Sequence, residues 1–147
     1  MADRIADLYP LVLAAAGGLS AEIQAGVRAR GFTDTRAAHG FAFVRLAPSG
    51  ATTVELAEYL GVSKQAAAQL VDELVRRGYV RRRPHPTDAR AKLVELTERG
   101  WECTRAADEA GAEVIGRWVQ VLGADRVTAL RDDLARVAPP GRIRPVW

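Results

Sequence analysis

The stretch TVELAEYLGVSKQAAAQLVD (Thr53–Asp72) has the pattern of two short helices that meet at a tight corner. Gly61 stands where the chain must turn, and glycine adopts a positive φ more easily than any other residue. Ser63 follows two residues later and can cap the second helix with its hydroxyl. The other constrained positions carry small or apolar side chains that would close such a corner: Leu56, Ala57, Leu60, Val62, Ala67 and Leu70. The stretch therefore predicts two packed helices joined by a short turn.

This corner resembles the helix-turn-helix signature, whose second helix enters the major groove of DNA. An ordinary helical hairpin in a bundle is the alternative interpretation. At helical spacing, the outer face of the second helix carries Lys64, Gln65, Ala68, Gln69 and Asp72. Glutamine can form paired hydrogen bonds with adenine, and an alanine methyl can contact the methyl group of thymine. Ser63 and Lys64 stand at the start of the helix, where hydroxyl, ammonium and free backbone N–H groups favour a phosphate.

Beyond Gly78 the apolar period changes from about 3.6 residues to about 2, which is the change from helix to strand. The segments YVRRRP and RAKLVEL alternate apolar and charged residues on either side of the turn PHPTDA. Such a pair predicts a two-stranded hairpin with a long loop. Arg81 and Arg83 would share one face of the first strand and Arg82 the other, so only part of this basic run can face one partner.

The positive charge of the chain is concentrated in this region. Residues 76–92 hold seven cations and one carboxylate, Asp88, a net charge of +6 that leaves −3 for the rest of a chain whose total is +3. A focused basic patch on an acidic body is typical of a protein that binds a polyanion. A solvated arginine-rich face is the alternative.

The segment Thr52–Gly100 resembles the winged helix-turn-helix core of the MarR family of bacterial transcription regulators. The residues that carry the resemblance are Leu56–Ala57, Leu60–Gly61–Val62–Ser63, Leu74, Gly78–Tyr79–Val80, Arg83, Pro86, Asp88, Arg90, Val94, Leu96–Thr97 and Gly100. The D-x-R motif of the family's wing stands here as Asp88–Ala89–Arg90. His85 occupies a position where many relatives have an acidic residue, which makes this wing more basic. The flanking helices match the family only in number, length and polarity.

The resemblance implies a mostly α fold with a small β-hairpin wing. It divides the chain into an N-terminal dimerisation helix (1–32), a winged DNA-binding lobe (33–100) and C-terminal dimerisation helices (101–147). Arg90 would lie at the wing tip and enter the minor groove, whose negative potential attracts guanidinium. Asp88 would hold Arg90 extended through a salt bridge. The expected DNA contacts are Ser63, Lys64, Gln65, Ala68, Gln69, Arg83, Asp88, Arg90 and Lys92.

The implied function is that of a sequence-specific regulator of transcription that binds double-stranded DNA. It would act as a ligand-responsive repressor, and as a homodimer on a pseudo-palindromic operator. A winged-helix module that binds proteins without DNA is the alternative, but its recognition face should be acidic or apolar, whereas this one is polar beside a basic wing. An enzyme is not predicted, because the sequence has no nucleophile elbow and no phosphate-binding glycine loop. No cofactor is expected.

The helices outside the core motif are predicted from apolar periodicity and capping residues. Residues 3–30 read as one helix that the pair Gly17–Gly18 should weaken or bend. A second helix would be capped by Thr33 or Asp34 and stopped by Pro48 and Gly50. Thr52 or Thr53 would cap the first helix of the corner, and Gly78 would stop the second.

Two more helices are expected after the hairpin, and their apolar stripes exceed what a lobe of about fifty residues could cover. Thr97 would cap the first of them, Asp125 the second, and Pro139–Pro140–Gly141 would end the second. These apolar stripes predict that the chain forms a dimer. The alternative is that the stripes pack within one chain and complete a monomeric core. The residues on which this prediction depends are Val114, Trp118, Leu130 and Leu134.

Effector binding and localisation are predicted from fewer residues. Relatives often bind small aromatic compounds between the dimer helices and the winged lobe, so Tyr9, His39 and Phe43 are candidates for a pocket that holds a small aromatic or apolar effector. Ordinary core or surface roles fit these three equally well. With two histidines and one cysteine, a transition-metal site is not predicted. Cys103 is expected to be a packing or incidental residue, and a lone cysteine is typical of the cytoplasm. The apolar run Leu8–Leu19 is too short to span a bilayer, so no membrane partner is expected.

Overall fold

The protein was analysed as a computed structural model, which describes residues 5–138. Helices account for most of this part of the chain, and a single hairpin interrupts them. In chain order the elements are α1 (Leu8–Ala29), α2 (Ala37–Leu46), α3 (Thr53–Leu60), α4 (Lys64–Arg76), β1 (Val80–Pro84), β2 (Lys92–Leu96), α5 (Glu98–Leu122) and α6 (Ala124–Val137). The predicted order of helices and hairpin is therefore confirmed.

The helix corner forms as its sequence predicts. The Thr52 hydroxyl accepts a hydrogen bond from the Glu55 amide at 3.2 Å, and the Glu55 carboxylate accepts one from the Thr52 amide at 2.8 Å. This reciprocal cap fixes the start of α3. Gly61 ends α3 with a φ of 66°, and the Ser63 hydroxyl caps α4 by accepting from the Ala66 amide at 3.1 Å.

The hairpin pairs β1 with β2 in antiparallel register. Its partners are Val80 with Leu96, Arg81 with Glu95, Arg82 with Val94, Arg83 with Leu93, and Pro84 with Lys92. Directly opposed residues share a face of the sheet. Val80, Val94 and Leu96 are buried, so the face that carries them is turned towards the helices. Ala51 forms an isolated bridge to Val94 and attaches the base of the hairpin to the segment before α3.

The end of the hairpin passes into α5 through a close backbone contact. The Thr97 amide donates to the Tyr79 carbonyl at 3.0 Å, and the Thr97 hydroxyl donates to the Gly78 carbonyl at 2.6 Å. A Cβ atom added at Gly100 would lie 2.2 Å from the same Tyr79 carbonyl oxygen. The first turn of α5 is therefore pressed directly against the turn that joins α4 to β1.

The long helices α1 and α5 cross at Gly26. A Cβ atom there would lie 2.6 Å from the Cβ of Ala110, so the missing side chain permits the close approach. Arg30 joins the two helices near this point, with Glu109 at 3.2 Å and Glu113 at 2.6 Å. Arg117 and Glu22 form a further ion pair between them.

Large apolar side chains stay exposed on the parts of the chain that were predicted to dimerise. Within the described residues α6 buries none of its side chains. The exposed set on α1 and α6 includes Leu8, Tyr9, Leu11, Val12, Leu130, Leu134 and Val137. Because Gly17 and Gly18 remain helical, α1 continues to Ala29, and by length and composition it could cross a membrane. The helix is thus longer than the apolar run Leu8–Leu19 from which no membrane span was expected, but a core helix of a soluble protein or a signal sequence passes the same test.

Two predicted caps are also wrong. Arg36, and not Thr33 or Asp34, precedes α2, and its backbone amide donates to His39 Nδ1 at 3.2 Å. Asp34 instead accepts a hydrogen bond from the hydroxyl of the buried Tyr79 at 2.5 Å, because a buried hydroxyl needs a partner. Gly123, with a φ of 86°, precedes α6, which places Asp125 inside the first turn. The predicted stop at Pro139–Pro140–Gly141 lies outside the described residues.

Candidate nucleic-acid interface

Helix α4 presents a polar face to solvent. Ala67, Leu70, Val71 and Leu74 are buried against the lobe. Lys64, Gln65, Gln69 and Asp72 are exposed on the other side, and Ala68 is partly exposed among them. The predicted outer residues of the second corner helix are thus brought together on one face, which we call the reading face. Ser63, at the start of the helix, is exposed as well.

Hydrogen bonds within the hairpin loop hold the loop in its conformation. His85 Nδ1 accepts from the amides of Thr87 at 3.2 Å and Asp88 at 3.1 Å. The Ala91 amide donates to the Asp88 carbonyl at 3.2 Å, and the His85 amide donates to the Ala91 carbonyl at 3.3 Å. His85 therefore organises the loop, a role that the sequence did not predict because the hydrogen-bond partners of a histidine in a long loop cannot be seen in a sequence pattern.

Asp88 acts on the backbone of Arg90 and not on its side chain. Its carboxylate accepts from the Arg90 amide at 2.9 Å, as aspartate commonly does two residues along in a turn. Among the ion pairs of residues 5–138 there is none between these two side chains, so the predicted salt bridge is wrong. The Arg90 guanidinium is left exposed at the tip of the loop.

The three arginines of β1 divide between the two faces of the hairpin. Arg81 and Arg83 both donate through Nε to Glu95, at 2.8 and 2.7 Å, on the face turned away from the core. These bonds, led by that of Arg81, hold the pKa of Glu95 below its usual value. Arg82 lies on the other face, opposite Val94, and donates to Asp72 of α4 at 2.5 Å. Arg82, which was not among the expected contacts, adjoins the reading face, whereas Arg83 does not.

Lys92 extends this basic edge. It pairs with Pro84, two positions along β1 from Arg82, so both cations lie on the same face of the hairpin. Lys92 is exposed. The reading face is therefore bordered by Arg82 and Lys92, with Arg90 beyond them at the loop tip.

The inner side of α4 carries a charged cluster that joins it to α2. Glu73 lies 3.0 Å from Arg36, 2.7 Å from Arg77 and 3.4 Å from Nε2 of the buried His39. Burial would raise the pKa of Glu73, but hydrogen bonds from Arg36 and His39 outweigh it and the pKa is lowered. Burial lowers the pKa of His39. Because α2 and α4 are far apart in sequence, no local pattern could have predicted this cluster.

The residues predicted for an effector pocket are not brought together within one chain. Tyr9 is exposed on α1, whereas His39 and Phe43 are buried inside the winged lobe. Phe43 packs against Tyr79, with their ring centroids 5.6 Å apart. Within residues 5–138 no group of three or more histidine, cysteine or acidic side chains could hold a metal ion.

A helix corner followed by an antiparallel hairpin defines a winged helix-turn-helix protein. The model of the MarR family matches residues 31–91, which include the corner, β1 and the loop. The multiple antibiotic resistance protein MarR of Escherichia coli K12 is 36% identical over 89 residues, which are 60% of this chain and 62% of that protein. The alignment thus spans less than two thirds of this relative.

Solved structures match over more of the chain. A cysteine variant of E. coli MarR, complexed with operator DNA, superposes with a TM-score of 0.73 at 27% identity, covering 93% of this chain and 97% of that one. The transcriptional repressor CouR, bound to a 23-mer DNA duplex, gives a TM-score of 0.72 at 25% identity and covers 90% and 92%. The chain is thus similar to the MarR family over its winged helix-turn-helix core, and its fold is similar to that of MarR over most of its length.

Proposed function

We propose that this protein is a transcription regulator that binds double-stranded DNA in a sequence-specific manner, as a homodimer on a pseudo-palindromic operator. The observation that carries the proposal is the reading face of α4, which is exposed and polar beside the basic residues Arg82, Lys92 and Arg90. A helix of this kind fits the major groove, and a guanidinium at the wing tip fits the minor groove. Operator DNA bound to a MarR relative supports the same mode of binding.

The amide groups of Gln65 and Gln69 suit base edges, whereas Lys64 and Ser63 suit the phosphates that flank them. Repression is the finer form of the proposal, since a regulator that covers its operator also blocks the polymerase. A winged module that binds only proteins is a weaker candidate, because an exposed face with so few apolar groups offers little surface to bury.

Ligand response is the second part of the proposal. We infer that a small aromatic or apolar acid favours a dimer whose recognition helices are wrongly spaced for two half-sites about one helical turn apart. A ligand can shift this balance only through different affinities for the two spacings. One groove borders α4: Leu60, Val62 and Leu70 contribute apolar surface, Arg76 contributes positive charge, and Arg36 lies there paired with Glu73. Residues Tyr9, His39 and Phe43 remain candidates only if the dimer or a repacked lobe exposes them.

Selection from a random DNA library tests the DNA-binding part. The purified protein should enrich one inverted-repeat sequence, and gel shifts should then confirm that this sequence binds more tightly than scrambled DNA of equal length. Retention of every sequence alike would reject sequence-specific recognition. A thermal-shift screen of small acids, followed by gel shifts with the selected DNA, tests the effector, and stabilising ligands that never change DNA affinity would reject it.

A further inference from the structure

Asp72 places a carboxylate on the reading face, among residues that are expected to approach DNA. It follows Gln69 by three positions on the same side of α4, and its side chain is 55% exposed. An unpaired carboxylate there would repel the phosphate backbone. Asp72 is paired, however, because Arg82 Nη2 lies 2.5 Å from its Oδ1. The partner comes from the hairpin and not from α4 itself.

The outer part of the hairpin has few other polar contacts with the recognition helix α4. In β1 only Val80 is buried, and the four residues after it are exposed. Arg81 and Arg83 form ion pairs inside the hairpin, and the loop is braced by His85 and Asp88. Among the ion pairs and side-chain hydrogen bonds of residues 5–138, Asp72–Arg82 is the one that joins the hairpin to α4. The wing is therefore an internally braced unit that is tied to α4 at one polar point.

The pair contributes little to folding stability, because exposed ion pairs are weak. Its effect is geometric, since a planar guanidinium held by a carboxylate has a restricted orientation. Arg82 lies between the buried base of the hairpin and its tip, so a small rotation at Arg82 becomes a larger displacement at Arg90.

We propose that the Asp72–Arg82 pair determines DNA specificity by fixing the wing relative to the recognition helix. Gln65 and Gln69 then contact base edges at a fixed distance from the point at which Arg90 enters the minor groove. The pair acts through these side chains, so Asp72 and Arg82 are positioning residues. The inference rests on the proposed DNA-binding function.

A positioning role of the Asp72–Arg82 pair and a purely electrostatic role predict different changes in DNA affinity. A specific site requires both contacts at a fixed separation, whereas random DNA requires only positive charge. Asp72→Asn raises the net charge by one and Arg82→Gln lowers it by one, yet each removes the ion pair between the two side chains. Positioning predicts that both variants lower the ratio of specific to random affinity. Electrostatics alone predicts opposite changes in affinity and an unchanged ratio.

The test measures dissociation constants for the library-selected site and for scrambled DNA, at two salt concentrations. It compares the full-length wild-type protein with Asp72→Asn, Arg82→Gln and the double variant. The control is Glu58→Gln, which makes the same charge change as Asp72→Asn on an exposed carboxylate of α3. Each single variant should lose about tenfold in the affinity ratio, the size of one mismatched base pair. The double variant should lose no more than either single variant, because the same tie is removed.

An unchanged ratio in both single variants would overturn the proposal, as would additive losses in the double variant or an equal loss in Glu58→Gln. Partial unfolding of a variant changes both dissociation constants by the same factor, so the ratio still reports on the tie. If the wild-type protein selects no DNA sequence, the proposed function itself fails. That outcome is seen before any variant is made and is therefore distinct from failure of the pair.

Discussion

His39 is a fully buried imidazole, held between the backbone at the start of α2 and Glu73 of α4. Burial lowers its pKa, against the opposing effect of Glu73. The folded protein therefore keeps His39 neutral at a pH at which the unfolded chain, with an ordinary value near 6.5, has taken up a proton. The unfolded state then binds more protons, so stability is complete above pH 6.5 and is lost as the pH falls.

We expect the free energy of unfolding to decrease between pH 7 and pH 5, by up to about 1.4 kcal/mol per pH unit from this one group. His39→Gln keeps an acceptor for the Arg36 amide and removes the titration, so its slope should be smaller. Urea unfolding at a series of pH values measures both slopes. Equal slopes would show that His39 does not stay neutral in the fold.

Cys103 is buried in the core, in agreement with the packing role expected from its sequence. Burial, with a smaller effect from Asp34, raises the pKa of its thiol to about 11. Because this pKa is about two units above the ordinary value of 9.0, the thiolate fraction at neutral pH falls about 100-fold. Alkylation by iodoacetamide, followed by mass spectrometry, should therefore be much slower in the native protein than in urea. Equal rates would place the thiol at the surface.

Replacement of Gln65 or Arg90 by alanine should weaken DNA binding in two different ways. Gln65→Ala removes a proposed base contact and should weaken binding to the selected site by roughly 1–3 kcal/mol, with little effect on random DNA. Arg90→Ala should weaken binding to both, and should flatten the plot of log affinity against log salt by about one unit per dimer arm. Gel shifts at several salt concentrations separate the two patterns.

Asp88→Ala is the companion variant, because it makes the protein more positive while freeing the Arg90 amide. If Asp88 orders the loop, binding should weaken despite the added charge. Tighter binding with an unchanged site preference would mean that Asp88 merely repels phosphate.

At the scale of the elements, the crossing of α1 and α5 depends on Gly26. Gly26→Ala would press a methyl group into Ala110 and should destabilise the protein by about 1–3 kcal/mol, the usual cost of overpacking. Gly116 provides the control, since a Cβ atom there meets nothing within 4 Å. Gly116→Ala should stabilise α5 by about 0.5–1 kcal/mol, because alanine favours the helix. Thermal unfolding of both variants tests the contrast, and equal shifts would contradict the close crossing.

The sequence predicted the elements that local signals control. The turn at Gly61 and the helix caps from Ser63 and Thr97 involve residues within one turn of their own position, and the hairpin follows from alternation over a few residues. The predicted cap of α2 was wrong because a distant partner takes Asp34: its carboxylate accepts from Tyr79, which lies 45 positions away. The predicted cap of α6 was wrong for a local reason, because α6 begins directly after Gly123. The role of Arg82 was missed for a related reason. Alternation shows that Arg82 and Arg83 face opposite ways, but only the fold shows which of them is beside α4.

At the scale of the whole molecule, the exposed apolar side chains of α1 and α6 predict a homodimer. Sedimentation at micromolar concentration should give about twice the chain mass of 15.9 kDa. Leu134→Lys should shift the protein towards monomer, because a charge would then be buried in the interface. Val54→Lys on α3 is a matched control, since Val54 is 43% exposed and Leu134 is 44% exposed. A wild-type monomer that remains folded would contradict the dimer.

The winged lobe begins and ends at nearly the same place. Asp34, where the chain enters the lobe, lies 3.4 Å from Arg99, where the chain is about to leave it. Insertion and exchange of modules succeed where the two ends are close together and the host elements keep their own contacts. In this chain α1 and α5 contact each other directly through Gly26 and Ala110. A gene crossover on either side of the lobe would therefore transplant the whole proposed DNA-binding surface and leave the scaffold intact, which makes this architecture well suited to acquiring new targets by recombination.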